Sequence, residues 1–382
     1  MNTDFRVRQR LCATLLPEHP PGAEPAASTT HSTRQREQID ARRTPTRDRC
    51  DSTIVRHLDE FAAAAVTPRH RAPTRAATAG PDGRTKSEKS WQPLAEPKAR
   101  TDNRTMTALV LTPERRSELA ALLGDGLRLR AEFPKVADYL DIAPMLAGTG
   151  DQEADAAFDL RFVHYMTGGS EESANPYWDI VAPSITVDGE RRVVDGGNPA
   201  GSVRLGFVQT ILQSAYAYAV PSPETLSWIG AFSEGRRVFE LGAGRGYWAK
   251  QLADHGVNVR AFDAEPPDST ANPSFPGAEG QRDVWFPVSG LDEFDADLDG
   301  ESVLFLCWPP GWGDPMASAA LEKFETRGGR RVIFIGEPQG GKTGDDAFFA
   351  RLSEAWRLES EDPHHVSWWN LGDVAQGWVR PG

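Results

Sequence analysis

The chain has 382 residues, 39% of them hydrophobic, with 42 Lys plus Arg against 55 Asp plus Glu and a net charge of −13. No run of roughly 18 apolar residues and no short apolar core behind a basic start occurs, which argues against a membrane span and a secretory signal and makes the cytoplasm the expected location. The three cysteines, Cys12, Cys50 and Cys307, are too few and too far apart for a disulfide framework, and no His, Cys or carboxylate cluster has metal-ligand spacing.

Residues 1–105 are rich in Arg, Thr, Pro and Ala and keep no apolar period. Such composition does not bury enough surface to offset an ordering cost of roughly 1–2 kcal/mol per residue, so the segment is expected to be disordered. It carries 19 basic against 13 acidic residues, whereas residues 106–382 carry 23 against 42. A basic tail on an acidic body suits contact with nucleic acid or loose folding back onto the body. An equal alternative is that translation starts at Met106, with MTALVLTPERRSEL as the N-terminus.

Residues 106–229 are expected to form a mainly helical cap. TPERRSELAALLGDGLRL from Thr112 offers a cap residue, early acids and an apolar stripe. Helices are expected at Phe133–Leu146, Ala154–Met166 and Gly206–Val220, with a short hairpin over Ile185–Val194 turning at Asp188-Gly189. The stripe Phe207, Ile211, Leu212, Tyr216 and Tyr218 reads as core packing. Pro221 and Pro223 stop the third helix, and Ser222 can cap a following one.

Residues 230–382 read as an α/β domain with a Rossmann-like sheet. RVFELGAGRGYW, Arg237 to Trp248, gives a buried strand closing on Leu241, a turn with glycine at 242, 244 and 246, and a helix from Tyr247 to His255 ending at Gly256. Glycine at alternate positions permits positive backbone dihedrals and lets a ligand approach the main chain. A dinucleotide fingerprint needs a third glycine where Tyr247 stands. NVRAFDAE forms a second strand ending at Asp263, an acid placed to hold ribose hydroxyls. Asp283–Val288 is expected as a third strand, Ser302 to Trp308 as a fourth, Met316–Phe324 as a helix and Arg331–Ile335 as a fifth strand. Asp345–Trp356 gives the last long helix. The stretch Leu358–Glu361 and the segment around HHVSWWNLGDVAQGWV supply a final antiparallel pair. His364 and His365 read as solvated loop residues.

The pattern E-x-G-x-G-x-G resembles the first motif of class I S-adenosylmethionine-dependent methyltransferases. Glu240, Gly242, Gly244 and Gly246 match it position by position. The order of YAVPSPE, ELGAGRGYW, CWPP and GE-GG-TGDDAFF is similar to that of an uncharacterised bacterial group of methyltransferase-like proteins. The resemblance implies a mostly parallel seven-stranded sheet with an antiparallel last hairpin, and S-adenosyl-L-methionine as cofactor. Around that cofactor it implies the turn with Tyr247, the ribose partner Asp263, and Ser289 or Asp292 near the adenine. Tyr218 and Ser222 fall in the segment that closes over the cofactor in many members, or are simply linker. Trp308, Pro309 and Pro310 stand where amino-group methyltransferases have (Asp or Asn)-Pro-Pro-aromatic. Trp308 replaces the polar acceptor and Trp312 shifts the aromatic by one, so nucleic-acid amine methylation does not carry over directly; the same residues also read as a Pro-Pro strand stop. Glu337, at the end of the fifth strand, is a candidate base or substrate anchor, or a structural ion-pair partner.

Gly336–Thr343 also satisfies the P-loop expression G-x-x-x-x-G-K-T. No later apolar run ends in the Mg²⁺-holding acid that an NTPase needs, and the loop follows a fifth strand rather than a first. The favoured expectation is therefore methyl transfer to a small molecule or a protein side chain, with a non-catalytic cofactor-binding module and an NTPase as alternatives. The acidic body has no basic groove for nucleic acid.

Overall fold

The computed structural model describes residues 109–267 and 277–382. The expected disordered tail, Met106, Cys12, Cys50 and part of the loop after Asp263 lie outside those residues.

The helical region opens with α1 (Pro113–Gly124), whose first turn is capped by Thr112. Arg115 of α1 is buried, and its guanidinium donates to the carbonyls of His164 and Thr167. Those carbonyls lie at the end of α4 (Gln152–Met166), which Asp151 caps; between them run α2 (Gly126–Glu132) and α3 (Pro134–Ile142). The helix expected over 133–146 ends early because Pro144 has no N–H to donate, and Ala143–Met145 tightens to a 3₁₀ turn. A short α5 (Pro176–Val181), capped by Asn175, escaped the sequence reading.

The expected hairpin forms as β1 (Ile185–Asp188) and β2 (Arg191–Val194), with Ile185 opposite Val194 and Asp188 opposite Arg191. Next, α6 (Val203–Ala215) starts at the Ser202 cap and stops well before Val220. There Tyr216 leaves helical geometry and packs its ring on Tyr177 and Tyr247. Ser222 caps α7 (Pro223–Ser233) as expected.

The α/β domain contains a seven-stranded sheet. Its strands are β3 (Val238–Leu241), β4 (Val259–Phe262), β5 (Val288–Ser289), β6 (Val303–Cys307), β7 (Arg331–Gly336), β8 (Arg357–Glu361) and β10 (Val374–Val379), in the spatial order β5-β4-β3-β6-β7-β10-β8. Strands β5 to β7 of that series pair in parallel, while β10 is antiparallel to both β7 and β8. Counted along the chain, the order is 3-2-1-4-5-7-6.

Alternate residues of the central strands serve opposite faces. Val303, Phe305, Ile333 and Ile335 join one core with α7, the helix α8 (Tyr247–Asp254) and the helical region. Leu304, Leu306, Val332 and Phe334 join the other, under α9 (Leu291–Asp297), α10 (Met316–Thr326) and α11 (Asp346–Ala355). Both faces are covered, as near-continuous apolar strands require.

Two expectations are corrected. The third strand is only β5: Pro287 has no N–H for a ladder, and Trp285 is held away from the sheet by its backbone bond to the Arg245 carbonyl and its indole bond to the Ala215 carbonyl. The closing pair is β8 with β10, and the segment between them leaves the sheet. There β9 (Val366–Trp368) pairs in parallel with β2, making a small sheet β1-β2-β9 that joins the helical region to the α/β domain.

Candidate cofactor and acceptor site

Parallel strands end where their βα loops begin, and an open sheet binds ligands there, at the point where strand order reverses. In this sheet the reversal lies between β3 and β6. Gly242, Gly244 and Gly246 leave β3 at that point, with φ of 81°, 54° and 73°. These are left-handed values that side chains resist. A Cβ on Gly246 would stand 2.8 Å from the Phe286 carbonyl oxygen, so backbone as well as conformation requires glycine there.

Asp263 immediately follows β4, beside the turn. Its Oδ2 accepts the Gly244 N–H at 2.8 Å and its Oδ1 the Glu265 N–H at 2.9 Å. Burial pushes its carboxyl upward, opposed by the amides of Glu265, Gly244 and Ala264. The acid thus fixes the glycine turn against the neighbouring strand. Glu240, inside β3, is 2% exposed, and its Oε2 has no partner among the described residues. Burial pushes its carboxyl up to about 8, against a lowering bond from the Ala249 amide and helped by the charge of Asp263.

Tyr247 points away from the turn. Its hydroxyl donates to Asn175 Oδ1 at 2.8 Å and accepts the Tyr177 N–H at 3.1 Å, so the side chain ties α8 to α5, and only its backbone borders the glycines. Arg245, which the sequence reading passed over, is 1% exposed. It donates to the carbonyls of Ser214 and Asp283 and pairs with the Asp283 carboxylate, tying the turn to the end of α6 and to the 282–286 loop. A lone arginine between two glycines gave no signal, because its partners, carbonyls and the Asp283 carboxylate, lie 31 to 38 residues away in the chain.

Among the remaining cofactor candidates, Ser289 ends β5 and donates to Glu293 at 2.9 Å, while Asp292 is exposed in the first turn of α9. Ser222 is fully buried, its hydroxyl shared between the Thr225 N–H and Thr225 Oγ1, so it caps α7. Tyr218 stacks on Trp308 with ring centroids 5.6 Å apart and planes 17° off parallel.

Trp308 follows β6 with φ 53°, in the left-handed region, its N–H bound to the Ile335 carbonyl at 2.7 Å and its indole N–H buried without a partner among the described residues. Such a conformation costs about 1–3 kcal/mol in a non-glycine residue. The Pro309 carbonyl accepts the Gly344 N–H, and Pro310 bridges Thr343, so the Pro-Pro turn is braced by the loop after β7. Trp312 follows, also at φ 53° and 82% exposed.

Glu337 is buried and latches that loop. Its Oε2 accepts the Lys342 N–H at 2.8 Å, its Oε1 accepts the Gly372 N–H at 3.1 Å, and the Lys342 ammonium lies 3.8 Å away. The helix after the loop begins at Asp346, and Asp345 occupies its N-terminal amides. A carboxylate at the loop and another at the helix start take N–H groups that a phosphate loop directs at its anion. His365, expected in solvent, is 8% exposed and lies 3.2 Å from Asp373; β9 draws it inward, while His364 stays exposed.

The order 3-2-1-4-5-7-6, antiparallel only at the last pair, with an acid-led glycine turn after the first strand, decides the architecture. The α/β domain has the class I methyltransferase fold. No protein-family model and no curated protein matches the chain. Solved structures similar to it include the protein WbdD, at 17% identity and TM-score 0.27 over 41% of this chain and 40% of that one. The CcbJ methyltransferase from Streptomyces caelestis matches at 16% identity and TM-score 0.27 over 42% of this chain and 89% of its own. The magnesium protoporphyrin IX methyltransferase from Synechocystis PCC 6803, solved with bound S-adenosylmethionine, matches at 14% identity and TM-score 0.26, over 62% of this chain and 100% of its own. The chain thus spans well under half of WbdD. Among the described residues no helix is long and apolar enough to cross a membrane.

Proposed function

We propose that this protein transfers the methyl group of S-adenosyl-L-methionine to a nitrogen or oxygen of a small molecule or a protein side chain. One observation carries the reading: the left-handed glycine turn is held by Asp263, and beside it Glu240 keeps a buried oxygen without a partner among the described residues, at the reversal point of the sheet.

These residues fit the cofactor. The glycines leave main-chain room beneath it, Asp263 offers acceptors for ribose hydroxyls, and Glu240 supplies negative charge for its amino group. The cofactor itself brings a methyl group on a sulfonium, an electrophile that needs no metal. What the chain contributes is position and dryness: the Tyr218–Trp308 stack and the braced Pro309-Pro310 turn form a stiff apolar wall at the end of β6. Glu337 maintains the shape of the adjoining loop, because both its oxygens are spent on backbone N–H groups. The net charge of −19 on residues 106–382, from 23 basic and 42 acidic groups, disfavours a nucleic-acid acceptor.

Calorimetric titration of the full chain with S-adenosylhomocysteine tests the reading. Saturable one-to-one binding is expected, and its absence overturns the proposal. The stacked Trp308 at the acceptor position favours one rival, a module that binds the cofactor without transfer. Methyl-labelled cofactor incubated with cell extract separates the two: label entering a metabolite or protein supports transfer, and binding without label supports the module.

A further inference from the structure

Glycine enters the left-handed and right-handed regions with similar ease, so a turn with glycine at 242, 244 and 246 does not by itself hold one shape. Arg245 is the only residue of that turn with a side chain longer than a methyl group. The side chain is 1% exposed, and its Nε donates to the Ser214 carbonyl at 3.1 Å. Ser214 lies in the last turn of α6, where carbonyls lack intrahelical partners and the helix dipole presents negative partial charge. No basic residue stands in that last turn. Arg245 therefore supplies, from the α/β domain, the cation and the donor that the end of α6 lacks. The neighbouring Ala215 carbonyl accepts the Trp285 indole N–H at 3.1 Å. On its other side the Arg245 guanidinium donates from Nη1 to the Asp283 carbonyl at 3.0 Å and to Asp283 Oδ1 at 3.1 Å. The main-chain carbonyl of Arg245 accepts the Trp285 N–H at 2.8 Å. Side chain and main chain are thus pinned together, by two elements outside the strand and helix that the turn connects.

We propose that Arg245 is a positioning residue for the cofactor: it holds Gly242–Gly246 in the left-handed, ligand-accepting form by docking the turn on the end of α6 and on residues 283–285, which makes cofactor affinity depend on the helical region. The assignment rests on the cofactor reading above. Arg245 acts through the main chain of the turn and not by contact with the ligand. The planar fork of a guanidinium is what allows one side chain to meet the Ser214 carbonyl and Asp283 at once. An ammonium, a single point of charge, meets one or the other. The helical region is on this account part of the cofactor site, although none of its residues need touch the cofactor, because α6 carries one of the two anchors of the turn.

The test uses the full chain, with affinity for S-adenosylhomocysteine read by calorimetry and amide hydrogen exchange followed by mass spectrometry in the ligand-free protein. Arg245→Ala is expected to bind about tenfold more weakly or worse, the loss of charge-assisted hydrogen bonds that shape the turn. Ethylguanidinium, which replaces the atoms removed, is expected to restore most of that loss, and ethylammonium at the same concentration is not. Arg245→Lys, which keeps the charge without the fork, is expected to bind as weakly as Arg245→Ala, and it carries the test if the alanine variant does not fold. In either variant exchange should quicken at residues 242–246 and 283–286 while β6, β7 and β10 keep wild-type protection, whereas a residue that merely stabilised the fold would raise exchange throughout. Wild-type affinity in a variant, equal rescue by the two cations, or unchanged exchange at the turn overturns the proposal. Failure of wild type to bind S-adenosylhomocysteine would instead remove the cofactor reading, and with it the role proposed here, while exchange in the ligand-free chain still reports whether Arg245 holds the turn.

Discussion

Replacing Glu240 by glutamine removes a titration from the centre of the sheet without changing the shape of the side chain. The carboxyl has an ordinary value of 4.5 and is pushed up to about 8 in the fold, chiefly by burial. Because the folded value is the higher one, the folded chain holds the proton more tightly than the unfolded chain between those limits. Stability is then lost as pH rises through that window, by about 1.4 kcal/mol per pH unit. Glu240→Gln does not titrate, so its advantage over wild type is expected to grow by about 2 kcal/mol between about pH 5.5 and pH 7 and to level off above about pH 8. Urea denaturation of the ligand-free full chain at several pH values reads the gap directly. A gap that stays flat across the window, or a variant that loses stability relative to wild type as pH rises, refutes the account of a buried, poorly compensated acid. The same variant is expected to bind S-adenosylhomocysteine at least tenfold more weakly, about 1.4 kcal/mol, since the acid costs stability in the free protein and returns it only to a cationic ligand.

Asp263→Ala and Gly244→Val are each expected to weaken binding of S-adenosylhomocysteine at least tenfold, about 1.4 kcal/mol, by calorimetry; unchanged affinity in either counts against the cofactor assignment. Tyr247→Phe strands the buried Tyr177 N–H and should cost about 1–3 kcal/mol in denaturant titrations while leaving ligand affinity intact, so a variant as stable as wild type contradicts the bridging role. Lys342→Ala removes only a long, partly exposed pairing with Glu337 and should change stability by no more than about 1 kcal/mol. ATP binding by wild type that disappears in Lys342→Ala would reinstate the phosphate-loop reading.

The glycine turn, its flanking strand and helix, and Asp263 were legible because each depends on local pattern: an apolar run, alternate glycines, an acid at the end of the next strand. The hairpin 185–194 was legible for the same reason, with Gly189 at φ 62° in its turn. What escaped is non-local. Arg245 binds the Ser214 and Asp283 carbonyls and the Asp283 carboxylate, partners 31 and 38 residues away that no local spacing links to it. Tyr247 looked like part of the turn because it is adjacent in sequence, yet the first residue of a helix directs its side chain independently of the loop before it, here toward Asn175. His365 looked like half of a solvated pair behind Pro363, and only the pairing of β9 with β2, 174 residues away in the chain, puts it inside. The third strand failed at Pro287, a residue whose missing N–H could have been weighed from the sequence.

The connection between β8 and β10 determines how the two halves of the site are held. In a plain closing hairpin it would be a short turn at the sheet edge. Here it runs from Asp362 to Asp373 and places β9 in the small sheet of the helical region. Trp368 of β9 donates to the Tyr177 hydroxyl, and the Tyr177 N–H in turn donates to Tyr247 at the start of α8. A chain of direct contacts thus runs from the 362–373 segment through the helical region to the helix that follows the glycine turn. Moving the helical region as a hinged lid would break the β2–β9 ladder and these buried bonds together. The region therefore acts as a fixed wall, and access is left to the side where Trp312 stands exposed beside the loops after β6 and β7. That arrangement suits chemistry that depends on two reactants being held in line more than on any single reactive group.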